Sequence, residues 1–167
     1  VVGEKLSGYN DNKKLSSLSQ GIKVDRILTN VEAKKVNSEM IIMNNSDKDM
    51  EKISILGRIP FEGNTSVVSN EDLVTTIDTE MIDEVIETYG VYKNVDIYYS
   101  ENKSANKDLN DESNKWTKNH KELKDIKSFL IIYNDSLKVG EVTTFSYGYA
   151  IPKNIECNES IFSSFTT

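Results

Sequence analysis

Val95-Asp96-Ile97-Tyr98-Tyr99-Ser100 places Val95, Ile97 and Tyr99 on one side of an extended chain, with Asp96 and Tyr98 on the other. In the segment 142–151, Phe145, Tyr147 and Tyr149 alternate in the same way. Alternation of this kind means one buried and one wet face, the habit of antiparallel sheets. Further short runs rich in Ile, Val, Tyr and Phe occupy 22–29, 39–45, 50–59, 91–100, 127–134 and 160–166. Breakers sit where these runs end. Asn44-Asn45-Ser46-Asp47 reads as a turn, and Pro60 and Pro152 each follow an Ile and close a strand, since proline cannot donate to a ladder. The pattern predicts an all-β, antiparallel, two-sheet sandwich.

Two segments read less simply. Met81, Ile82, Val85, Ile86 and Tyr89 fall at helical spacing, with Asp78 or Thr79 as a cap and Gly90 as a stop. Ile77, Thr79 and Met81 also alternate, so a short helix at 79–89 and a strand both stand as readings. Residues 101–122 are nearly all polar apart from Leu109 and Trp116, and read as a long surface loop whose far end Trp116 pins to the body. The polar, Ser-rich residues 1–20 read as an N-terminal arm or edge strand, and 21–167 as the sandwich domain. Val1 is not a natural initiator, so the sequence reads as a piece of a longer chain.

Composition narrows the function classes. The 167 residues carry a formal net charge of −7, and the two arginines, Arg26 and Arg58, are far apart in sequence, which argues against nucleic acid or an anionic membrane surface as partner. Apolar runs such as Met40-Ile41-Ile42-Met43 are four residues long, far from the roughly 20 needed to span a bilayer. The 17 Asn and 18 Ser fill turns and wet surface. One His and one Cys remove most of the usual catalytic and metal-binding repertoire. Cys157 cannot close an intramolecular disulfide, and its bland reading is a small buried hydrophobe. His120 lies in a polar stretch, Lys118-Asn119-His120-Lys121.

No catalytic, cofactor-binding or metal-binding set emerges. Asp108, Asn110, Glu112 and Asn114 superficially match a calcium loop. The sixth and twelfth positions, however, are Ser113 and Asn119 where Gly and Glu are wanted, so the segment reads as a solvated loop. The acids form many pairs but no distinguishing spacing, and there is no phosphate-cradling Gly loop or nucleophile elbow. Tyr98, Trp116, Tyr147 and Tyr149 are the candidate ligand contacts, as a stacking platform for carbohydrate or peptide, although strand aromatics more often pack in the core.

Met43-Asn44-Asn45-Ser46, Ile55-Leu56-Gly57-Arg58-Ile59-Pro60-Phe61, Asp96-Ile97-Tyr98-Tyr99-Ser100, Trp116-Thr117, Lys127-Ser128-Phe129-Leu130, Gly140-Glu141 leading into Phe145-Ser146-Tyr147, and Ala150-Ile151-Pro152 follow one another in a telling order. Together, over about residues 22–167, they resemble the immunoglobulin-like repeats of Gram-positive, clostridial-type cell-surface and adhesin proteins. The resemblance implies an immunoglobulin-like sandwich, with an extended chain at 73–92. It implies a non-enzymatic, extracellular stalk or adhesive module without cofactor, whose partners are neighbouring domains and a host or glycan ligand. Some related domains are stapled by a Lys–Asn isopeptide bond, for which Lys23 with Asn154 or Asn158 are the candidate positions. The alternative is a carbohydrate-binding module of a secreted enzyme.

Overall fold

The computed structural model describes residues 2–8, 11–13, 34–90, 94–152, 156 and 159–167. The expected strand at 22–29, Cys157 and the candidate isopeptide positions Lys23, Asn154 and Asn158 lie outside them. Among the described residues, nine strands form two antiparallel sheets. The first has the order β2-β1-β3-β8-β5, from β1 (Val2–Gly8), β2 (Asp11–Lys13), β3 (Lys34–Met43), β5 (Glu80–Tyr89) and β8 (Val142–Ile151). The second has the order β6-β7-β4-β9, from β4 (Ile53–Arg58), β6 (Val95–Ser100), β7 (Ser128–Tyr133) and β9 (Ser164–Thr166). The chain is an all-β sandwich, and β8 has the bounds its alternation predicts.

Period-two alternation builds the core. Val36, Met40 and Ile42 of β3 and Phe145, Tyr147, Tyr149 and Ile151 of β8 point inward from the first sheet. They meet Ile53, Ile55, Phe129, Ile131, Tyr133 and Tyr99 of the second. Gly57 sits opposite Phe129, whose ring lies over the glycine so closely that a Cβ there would collide with it.

Residues 80–89 form strand β5 and not the short helix. Three register shifts against β8 interrupt the ladder, between Met81 and Asp83, Asp83 and Ile86, and Glu87 and Tyr89. Met81 and Val85 point inward, four apart as either a strand or a helix allows, while Ile82, Ile86 and Tyr89, the rest of the stripe that imitates a helix, are exposed. Bulges on an edge strand also hinder pairing with another chain.

The outer face of the second sheet is not wet. Leu56 and Leu130 point away from the main core yet are 5% and 0% exposed. Residues 101–118 fold over this face, with Ala105 fully buried, Ser100 Oγ donating to Asn114 O at 2.5 Å and Ser128 Oγ donating to Asn102 O at 2.9 Å. The long polar segment is therefore a lid tied to this face through Ser100 and Ser128. Among the described residues, no helix is long and apolar enough to cross a membrane.

Candidate functional site

The lid is built from polar side chains that turn back on their own backbone. Asn102 Oδ1 accepts from Ser104 N, Asn106 Oδ1 from Asp108 N, Asp108 Oδ1 from Asn110 N, and Asp111 Oδ1 from Ser113 N, each at 2.8–3.0 Å. Asn and Asp favour such local turns. Asn114 closes the lid from inside: 1% exposed, it accepts from Asn106 N at 2.9 Å and donates to Asn106 Oδ1 and Asp108 O at 2.9 and 2.7 Å. The spacing of two that resembles a calcium loop thus serves turns. No group of three or more His, Cys, Asp or Glu placed to hold a metal occurs among the described residues.

After the lid the chain returns along the free edge of β6. Tyr99 N donates to Thr117 O at 2.8 Å and Thr117 N to Tyr99 O at 3.0 Å. Lys118 Nζ then reaches Asp96 Oδ1 at 2.5 Å and stands 5.2 Å from the centre of the Tyr98 ring. Asn134, beyond the end of β7, donates to the other oxygen, Asp96 Oδ2, at 2.9 Å. The hydrogen bond from Lys118, and then that from Asn134, hold the Asp96 carboxyl below the usual carboxylate range, while Asp96 raises the Lys118 ammonium.

His120 closes the seam between the sheets. Its Nε2 lies 2.9 Å from Glu84 Oε1 on β5, and its ring meets Tyr99 of β6 edge-on with centroids 4.8 Å apart. Tyr99 Oη accepts from Val85 N at 3.1 Å, and burial pushes its phenol up to about 12.

The four aromatic candidates separate cleanly. Tyr147 and Tyr149 are 3% and 2% exposed, packed in the core beside Phe129, so neither offers a ring face to a ligand, which corrects their place in a stacking platform. The cause is register: odd positions of β8 face inward. Tyr98 and Trp116 are half-buried at the lid and β6. Trp116 is tied within the lid, its indole N–H donating to Asn106 O at 3.0 Å, while the return to the body is made by Thr117. Sequence reasoning missed Asp96, Lys118 and Asn134 as a cluster. The signal was there for Asp96, two residues before Tyr98 on the same face; no periodicity links Asn134 to it.

A cleft of about 650 Å³ opens at one pole, over Ile151 and Pro152, and its rim carries both signs of charge, Asp78 and Glu101 with Lys103 and Lys124 among them. Lys127 in its wall donates to Thr79 O at 3.3 Å. No protein-family model, curated protein or solved structure matches the chain.

Proposed function

We propose that the chain is a non-enzymatic, immunoglobulin-like module of a Gram-positive bacterial cell-surface protein, acting as a stalk or adhesive domain. The observation that carries this reading is the lid: a polar segment held rigid by its own Asn and Asp side chains, presenting Tyr98 and Trp116 beside an organised charged cluster. Functional groups on a loop that a rigid sandwich supports are the usual arrangement of a binding module. The order of the motifs supports the surface assignment.

A second reading, a carbohydrate-binding module of a secreted enzyme, draws on the same two aromatic side chains. The sequence flanking this chain in the full-length protein tests the choice. A signal peptide, tandem copies and a sorting motif are expected; an adjacent hydrolase domain favours the second reading.

A further inference from the structure

We propose that the face shared by Tyr98, Trp116 and Lys118 binds a neutral saccharide, an inference that rests on the module being adhesive and not a spacer. The antiparallel bridge between Tyr99 and Thr117 fixes the geometry. Residues on either side of a bridged pair point to the opposite face from it, so Tyr98 and Ser100 share a face with Trp116 and Lys118. The stand of Lys118 Nζ over the Tyr98 ring agrees with that register. Trp116 is the diagonal neighbour of Tyr98, at about 7–8 Å between backbones.

The chemistry of this face matches a pyranose. Trp116 has spent its one donor on Asn106 O, so what remains for a ligand is a fixed apolar ring, suited to the C–H face of a sugar. Beside it, each oxygen of Asp96 has one partner among the described residues, Lys118 or Asn134, and keeps a further lone pair for a ligand hydroxyl. Lys118 keeps N–H groups to donate in return. A hydroxyl pair, donor and acceptor at once, satisfies both. The network is formed before any ligand arrives, which lowers the ordering cost of binding.

Charge selects the class. The Lys118 ammonium is compensated by Asp96 at 2.5 Å, so an anionic sugar gains little net attraction there. The chain as a whole, at −7, repels it. Stacking and hydroxyl hydrogen bonds therefore favour an uncharged saccharide over a sialylated or sulfated one.

The single tryptophan gives the test its readout, because the ¹⁵N-labelled chain has one indole N–H resonance. Lactose, cellobiose, maltose and 3′-sialyllactose are titrated separately. At least one neutral disaccharide is expected to move that resonance saturably, with sialyllactose binding no tighter than lactose. Tyr98→Ala and Asp96→Asn are each expected to weaken the response about threefold to tenfold, with far-UV circular dichroism confirming the fold. Preference for sialyllactose overturns the neutral class. An unmoved indole resonance, or a response unaffected by both substitutions, overturns the site. Either failure leaves the stalk reading standing, since that reading is decided by where the full-length protein resides.

Discussion

At Tyr99 one side chain ties the two sheets together: its hydroxyl accepts the Val85 N–H of β5 at 3.1 Å and its ring packs against His120. Tyr99→Phe leaves that buried amide without an acceptor and is expected to cost about 1–3 kcal/mol in urea unfolding at pH 7. The phenol also sets an alkaline limit. Its pKa in the folded chain, about 12, exceeds the usual 10, so its contribution is whole below pH 10 and is lost as pH rises from 10 to 12. That loss, on the order of 2 kcal/mol, is expected to be absent from the pH dependence of Tyr99→Phe. Gly57 is the other decisive residue. Gly57→Ala drives a methyl into the Phe129 ring and is expected to lower stability by about 1–3 kcal/mol in the same assay. The alternation of Val95, Ile97 and Tyr99 is legible in the sequence. The partner of the Tyr99 hydroxyl is not, because it depends on how the two sheets are stacked.

Among the elements, β5 and the lid show why local pattern reading has a limit. Residues four apart share a face in a strand as in a helix, so Met81 and Val85 fit both, and no residue type marks the bulges that interrupt the ladder. The lid looks solvated because its Asn, Asp and Ser are polar, yet those groups are consumed by turns within the segment, and Ala105 and Asn114 are buried. Asn114→Ala removes three hydrogen bonds from a buried side chain and is expected to unlock the lid, at a cost of about 2–4 kcal/mol locally. Hydrogen exchange is the measurement: the amides of Asn106 and Asn114 should exchange much faster in the variant, while those of β7 stay slow. Equal acceleration in β7 would show that lid and sandwich open together. At the seam, His120→Ala loses the Glu84 contact and the ring contact with Tyr99, and is expected to cost about 1 kcal/mol in urea unfolding.

For the whole molecule, the two-sheet sandwich follows from short alternating strands and their breakers, and Tyr99, Phe145, Tyr147 and Tyr149 of its core are residues that alternation places on one face. The candidate site is only half legible. Tyr98 and Trp116 stand out as aromatic residues, whereas the Asp96–Lys118–Asn134 cluster is assembled from β6, the lid and the end of β7 by the fold. Tyr147 and Tyr149 look equivalent to Tyr98 in sequence, and only the register of β8 against β3 sends them inward. The negative charge and the spread of lysines belong to this scale as well, since they disfavour polyanionic partners for the whole surface. The central claim, a module displayed on a bacterial cell surface, is tested most directly by labelling cells that express the full-length protein with an antibody against this chain, before and after permeabilisation. The account predicts strong labelling of intact cells that external protease removes; labelling that appears only after permeabilisation would contradict it.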